Sequence, residues 1–451
     1  MVSETAHQGG TSVIFGFDPM LVSSVILIIA YAFIISERIN RAVISLIGAG
    51  LMIMLGVLNQ KLAVQGIDFN TIFLLIGMMV IVGITRRTGI FQYVAIWSAK
   101  WVRANPRAML ASLSVITAVF SGLLDNVTTV MLIVPITLLL TEQLKLSAYP
   151  FLFALIFASN IGGMATLVGD PPNILIGSAV GFSFMEFVYN VGPASLIIMI
   201  VMMGIFDFIW GRNFRTTPRA RAHLLRYDPN EALEDRELLV KSLFTLGLVL
   251  AGFIIGHGYG IQPGTTALTG AAFLLLLDVY KFKAAEQSHK VEESLQKVEW
   301  ETIFFFMGLF ILVKGVEHAG VLELVAEELL ALTQGDRMMT GMLILWTSAI
   351  LSTIVDNIPF VATMIPLIES MTPRLGGEAA VEPLWWCLSL GACLGGNGSL
   401  IGASANVMVA SFAERAGQRI SFIGFLKLAF PLMILTIVMA SFYAYFAFFA
   451  F

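Results

Sequence analysis

Long apolar runs separated by short polar stretches dominate the chain. A helix needs about 20 mostly apolar residues to cross a bilayer, and runs of that kind lie near 21–37, 41–58, 69–85, 186–210, 239–256, 262–280, 300–316 and 422–448. Two further apolar runs, near 148–179 and 384–412, are interrupted by Gly, Pro and Asn and read as broken crossings. The segments 107–141 and 340–371 each carry an Asp-Asn pair at mid-length. Each reads as a re-entrant helical hairpin, because non-helical backbone at membrane depth survives only where protein or a wet cavity covers it. The stretches 92–105 and 321–332 are amphipathic and predict helices lying in the interface plane. The pattern predicts an all-α polytopic membrane protein with ten crossings and two hairpins.

The pattern also repeats. FNTIFLLIGMM at 69–79 matches WETIFFFMGLF at 300–310. Thr71, Gly77, Gly89, Asp125, Asn126 and Pro135 recur as Thr302, Gly308, Gly320, Asp356, Asn357 and Pro366, each 231 positions further on. Beyond the hairpins the spacing becomes 233, which pairs Gly169 with Gly402 and Asn173 with Asn406. Each half holds five crossings and one hairpin, and an odd number of crossings puts the second half into the membrane upside down. That is the inverted-repeat plan of secondary transporters. The expected organisation is an N-terminal tail 1–20, a first repeat 21–210, a cytoplasmic linker 211–238 and a second repeat 239–451.

Composition and charge agree. Hydrophobic residues make up 58% of the chain and charged residues 12%, about half the charge of a typical soluble protein. Under the predicted topology only Lys61, Lys314, Arg337, Arg374 and Lys427, of 26 basic residues, fall outside the cytoplasmic loops. The positive-inside rule asks for such a bias. It places both termini outside, as expected of a bacterial inner-membrane protein. The N-terminal stretch has no Lys or Arg before the first apolar run, so the first span is expected to stay rather than be cleaved as a signal. Linker arginines are interleaved with Asp and Glu, which argues against a nucleic-acid partner. Cys387 and Cys393 read as small buried hydrophobes, and the histidines show no metal-ligand spacing.

Intramembrane carboxylates carry the candidate chemistry. Each costs roughly 3 kcal/mol or more at that depth unless it has a partner or a cavity, so Asp125 and Asp356 mark a functional site. The first broken crossing, NIGGMATLVGDPPN from Asn160 to Asn173, combines Gly162, Gly163 and Gly169 with Pro171 and Pro172. Such a run predicts two half-helices around an unwound loop, whose carbonyls can bind a cation. Thr166, Asp170 and Asn173 add side-chain oxygens, the ligands a hard cation prefers. The second broken crossing, GGNGSLIGASAN from Gly395 to Asn406, supplies Asn397, Ser399, Gly402, Ser404 and Asn406. It has Ala403 where the first has Asp170. The expected binding set is therefore Asp125, Asn126, Thr128, Asn160, Thr166, Gly169, Asp170 and Asn173 in one half. Asp356, Asn357, Asn397, Ser399, Gly402, Ser404 and Asn406 form it in the other. Na⁺ is expected at Asp125, Asn126, Thr166 and Asp170, and again at Asp356, Asn357, Asn397 and Ser399. Asp207, Asp278 and Lys427 read as snorkelling groups near cytoplasmic ends, and Lys314, Glu317 and His318 as interfacial.

The strings LLDNVTTVMLIVPI, NIGGMATLVGDPPNILI, VEWETIFFFMGLF, VDNIPFVATMIP and GACLGGNGSLIGASANV resemble the ion transporter superfamily. That group includes arsenite permeases, NhaD-type sodium/proton antiporters and dicarboxylate/citrate transporters. Within it the chain is similar in particular to the melanosomal P protein (pink-eyed dilution) branch. The resemblance covers essentially 21–448 and implies a homodimeric elevator, in which a scaffold holds the dimer and a transport domain of hairpins and broken helices moves. In the dicarboxylate members, Ser-Asn-Thr triplets at the hairpin tips bind Na⁺ and carboxylate. Here the tips read Asp125-Asn126-Val127-Thr128 and Asp356-Asn357-Ile358-Pro359. The extra carboxylates would repel a dicarboxylate and favour H⁺ or Na⁺ as the coupling ion.

The function expected from sequence is secondary active ion transport coupled to H⁺ or Na⁺, with Na⁺/H⁺ antiport preferred. Its partners would be a small ion or small molecule and membrane lipids, and no other cofactor is expected. Anion, arsenite or organic-anion transport is the alternative on the same fold. An ion channel is the alternative of a different class. An intramembrane aspartyl protease is least favoured, because its two carboxylates share a proton at about 3 Å.

Overall fold

The computed structural model describes residues 13, 16–36 and 38–450, so most of the tail 1–20 lies outside the described residues. The described residues form helices and no strands. Among the described residues, eight helices are long and apolar enough to cross a membrane. A ninth arises if Trp300–His318 and Val321–Thr333, bent by 71° at Gly320, are counted as one span.

Helix boundaries follow from caps. The first hairpin has arms Pro106–Leu123 and Asn126–Gln143, and the second has Arg337–Ile354 and Asn357–Leu375. At each tip the aspartate is the N-cap of the returning arm. Asp125 accepts the Thr128 N–H at 2.7 Å, and Asp356 accepts the Ile358 N–H at 3.2 Å. A carboxylate there satisfies donors the helix leaves open and complements its dipole. Asp170 and the prolines at 171 and 172 likewise start the half-helix Pro171–Val180, which follows Tyr149–Met164 across an unwound loop. In the other half Glu378–Gly395, a short 3₁₀ turn at Gly396–Gly398 and Ser404–Arg415 follow the same order. Pro171 and Pro172 suit the first helical positions, where the missing N–H would have been unpaired.

The two broken crossings form the centre. All of Tyr149–Met164 after its first residue is buried, as is Glu378–Gly395 from Leu384 onward. A helix apolar on every side belongs in such a place. Arm Pro106–Leu123 packs on Tyr149–Met164, and arm Arg337–Ile354 packs on Glu378–Gly395. Outside them, Phe69–Arg86 packs on Pro263–Val279, and Trp300–His318 packs on Arg41–Met54. The last two contacts use equivalent glycines. A Cβ on Gly77 would lie 2.5 Å from the Ala267 carbonyl carbon, and one on Gly308 would lie 2.6 Å from that of Ser45. Asp68 caps Phe69–Arg86 through the Asn70 and Thr71 N–H groups and takes the Thr71 hydroxyl at 2.5 Å. Asp68→Ala is expected to cost about 1 kcal/mol, read as a lowered thermal transition of the purified protein.

Some expected elements differ in the structure and others stand. The run 186–210 divides into Phe184–Asn190 and Gly192–Ile209, and the run 41–58 contracts to Arg41–Met54 followed by Gln60–Gln65. The hairpin arms are 18 or 19 residues each, and three of them count among the eight long apolar helices, with a mean hydropathy of 1.3–1.4 against 1.8–2.3 for the other five. The amphipathic stretches are the helices Ile90–Trp101 and Val321–Thr333. Each is preceded by a glycine in the left-handed region, Gly89 at φ 78° and Gly320 at φ 83°. Asp207 and Asp278 are not simply snorkelling. Arg107 pairs with Asp207, and Asp278, almost fully buried, meets Arg87 at 2.8 Å and Lys290 at 3.7 Å. Lys314 pairs with Glu317 at 2.5 Å on its own helix. Both cysteines are free and buried.

Candidate functional site

The hairpin tips and the unwound loops meet at the centre of the molecule. Asp170 is fully buried. Its Oδ1 accepts from the Asn126 amide at 3.1 Å and from the Asn357 amide at 3.3 Å. One carboxylate of the first broken crossing thus joins both tips. Asn126 also donates to Asn160 Oδ1 at 3.3 Å. The Asn160 amide in turn donates to Asn397 and Asn406, each at 3.1 Å. Asn160 therefore ties the first tip to the second broken crossing.

This differs from the arrangement expected from sequence. Asp356 and Asn357 were paired there with Asn397 and Ser399. Instead Asn357 reaches Asp170, and Asn397 faces Asn160. The bond from Asn126 to Asp170 stays within the first half as expected, whereas those from Asn357 to Asp170 and from Asn160 to Asn397 and Asn406 run between halves. The two tips thus share the Asp170 centre, with Asp356 beside it on Ser404 and Arg41.

The remaining candidates divide by what they touch. Asn173 donates to the carbonyls of Met164 and Thr166, both at 2.9 Å, and accepts the Ser389 hydroxyl at 2.6 Å. Asn406 donates to the carbonyls of Gly396 and Ser399 at 2.7 and 2.8 Å. These two asparagines hold the loops open by satisfying carbonyls that the broken helix leaves free. Thr166 donates to the Gly122 carbonyl and Ser399 to the Thr353 carbonyl, both at 2.5 Å, so these hydroxyls brace each loop against its hairpin. A Cβ on Gly169 would lie 2.5 Å from the Gly163 oxygen, and one on Gly402 would lie 2.8 Å from the Ser352 oxygen. Thr128 contributes its backbone N–H to the Asp125 cap. Ser404 donates to Asp356 Oδ2 at 2.6 Å.

Two buried acceptors at the centre have no hydrogen-bond partner, Asn126 Oδ1 and Asp170 Oδ2. A buried acceptor left unsatisfied costs about 1–3 kcal/mol, so the two acceptors together suit a ligand that donates to them or carries positive charge, and the Asn397 Nδ2 donor nearby is unpaired as well. Asn126 and Asp170 line a cavity of about 30 Å³, together with Asp125, Glu299, Thr302 and Asn357. A water needs roughly 10–15 Å³ of such space, so the cavity suits one or two groups of that size. Beside it opens a vestibule of about 590 Å³, lined among others by Arg41, Glu299, Asp356, Ser404 and Arg415.

Arg41 and Glu299 are the members of this centre that sequence reading missed. Arg41 Nη1 lies 2.8 Å from Asp356 Oδ2 and 2.7 Å from Ser404 Oγ. Its guanidinium lies over the Phe305 ring, 4.9 Å from the centroid. A usable signal was present. An arginine opening a helix just after an Asn cap stands against the dipole and needs an anionic partner.

Residues 31–391 match the profile of the citrate transporter family. An uncharacterized transporter of Mycobacterium bovis is 40% identical over 433 residues, which is 95% of this chain and 99% of that protein. The P protein of Homo sapiens is 32% identical over 499 residues, covering 92% of this chain and 58% of its own length. The crystal structure of the Alcanivorax borkumensis YdaH transporter aligns with a TM-score of 0.61 over 96% of this chain and 99% of that one. At 12% identity that likeness is one of fold.

Proposed function

The chain belongs to the citrate transporter family and is an integral membrane transporter, and from that premise we propose that it is a secondary active transporter exchanging Na⁺ for H⁺. The observation that carries the reading is the pair of buried, unpartnered acceptors, Asn126 Oδ1 and Asp170 Oδ2, on a cavity of about 30 Å³. Na⁺ between those oxygens and a proton on Asp170 exclude each other, because both neutralise the same carboxylate. Competition of that kind is what antiport requires.

The family description and the charge of the site pull in different directions. Asp125, Asp170, Glu299, Glu301 and Asp356 outnumber Arg41 and Arg415 at the small cavity and its vestibule. A citrate-like anion would enter a field of like charge, and the small cavity has no room for it. Organic-anion transport is the second reading, favoured by the family match and the larger vestibule.

The organisation goes with the function. Residues 21–210 and 239–451 would form inverted repeats of five crossings and one hairpin each, joined by the linker 211–238. Both termini would face outward from a bacterial inner membrane. Support comes from the equivalent helix pairs and equivalent glycine contacts described above. The hairpins and broken crossings would move as one body against the remaining helices of a homodimer, in an elevator cycle. The network from Asn126 through Asp170 and Asn160 to Asn397 supports that body's moving as a unit.

Purified protein in proteoliposomes tests the transport reading. An inside-acid pH gradient is expected to drive uptake of radiolabelled Na⁺, and added external Na⁺ to collapse the gradient. If neither occurs while labelled citrate or arsenite accumulates, the antiport reading is wrong and the anion reading takes its place.

A further inference from the structure

The two halves have diverged in a complementary way at their tip carboxylates. In the first half, Asp125 and Asp170 lie together. Among the described residues, the ion pairs include neither of them. In the second half, Ala403 replaces the counterpart of Asp170, and the remaining carboxylate, Asp356, is already engaged. Its Oδ2 takes Arg41 at 2.8 Å and Ser404 at 2.6 Å, and its Oδ1 takes the Ile358 N–H at 3.2 Å. The counterpart of Arg41 follows from helix register. Gly308 packs on Ser45 and Gly77 on Ala267, four positions into their helices, and Asn40 and Gln262 are the N-caps. Arg41 therefore corresponds to Pro263, which carries no charge. The first hairpin's site holds two carboxylates outside any ion pair, and the second hairpin's site holds one carboxylate paired with Arg41, a cation that the first repeat supplies.

We infer that Arg41 is a tethered cation that occupies the carboxylate of the second hairpin, leaving the Asp170 centre as the place where an exchangeable monovalent cation binds. The inference rests on the cation reading above and sets its stoichiometry at one bound cation per chain. Three features fit this role. The guanidinium presents a single Nη1 to both Asp356 Oδ2 and Ser404 Oγ, the oxygens a small cation would otherwise coordinate. Its stacking on Phe305 holds it there. It also forms part of the vestibule wall, so a cation arriving from water could reach Asp356 if the guanidinium were gone.

Equilibrium binding of radiolabelled Na⁺ to the purified full-length chain tests this. Wild type is expected to bind one Na⁺ at saturation, and Arg41→Gln and Arg41→Ala one more than wild type. Guanidinium ion added to Arg41→Ala should displace the additional Na⁺, which a merely structural role for Arg41 would not produce. The double variant Arg41→Gln with Asp356→Asn should lose the gain, and Arg41→Lys, which keeps the charge, should show none. If neither Arg41→Gln nor Arg41→Ala gains a Na⁺, or Arg41→Lys gains one, the inference is overturned. The gain is counted against wild type, so a wild-type chain that binds no Na⁺ defeats the transport reading separately.

Discussion

Asp170→Asn is expected to give a folded protein that neither binds nor moves Na⁺. The side chain is buried, and the new amide keeps an oxygen able to accept from Asn126 and Asn357, now 3.1 and 3.3 Å from the carboxylate. What disappears is the negative charge that would hold the cation. A contact to a charged group contributes about 1.5–3 kcal/mol, and losing roughly 3 kcal/mol between cation and carboxylate corresponds to about a 100-fold weaker ligand. Radiolabelled Na⁺ uptake into proteoliposomes should fall by at least that factor, while the thermal transition of the purified variant stays near wild type. Uptake within about tenfold of wild type would move the ion-binding role away from Asp170. Asp125 differs in kind, because it caps its helix through the Thr128 N–H. Its replacement should disturb the tip as well as the charge.

The contrast between Asp125, Asp170 and Arg41 shows what the sequence could disclose. Asp125 and Asp356 stood out because a carboxylate in an apolar run is costly and because the feature occurs twice. The hairpins and broken crossings were legible for the same reason, since Gly, Pro and Asn interrupt runs that otherwise span. The convergence on Asp170 was not legible. A repeat spacing pairs Asn126 with Asn357 as equivalents but says nothing of their meeting at one oxygen. Arg41 was read as a loop charge, and its partner lies 315 positions away. The hairpin arms were legible to within a few residues, because the Asp-Asn pair marks the middle of each run.

Gly162→Ala and Gly395→Ala are expected to be strongly destabilising, and for equivalent reasons. A Cβ on Gly162 would lie 2.3 Å from the Ala118 oxygen and 2.4 Å from its Cα. A Cβ on Gly395 would lie 2.4 Å from the Ala349 oxygen and 2.6 Å from its Cα. These are the seams where a hairpin arm lies directly on its broken crossing, backbone against backbone. No side chain can rotate out of the way, so the arm itself must move. Overpacking costs about 1–3 kcal/mol when side chains can adjust, and here the upper end is expected. Displacement would also break the Ser121 hydroxyl bond to the Ser159 carbonyl, 2.6 Å, or the Ser352 bond to Ala392, 2.8 Å. Those bonds position the tips over Asp170, so transport should fail along with stability. Gly204 is the control, since a Cβ there meets nothing within 4 Å. Gly204→Ala should leave the thermal transition unchanged or raise it, by up to about 1 kcal/mol from helix propensity. If Gly162→Ala melts with wild type, the hairpin is held less tightly than its contacts imply, and a tip that shifts independently of the broken crossing would become the better description of the moving part.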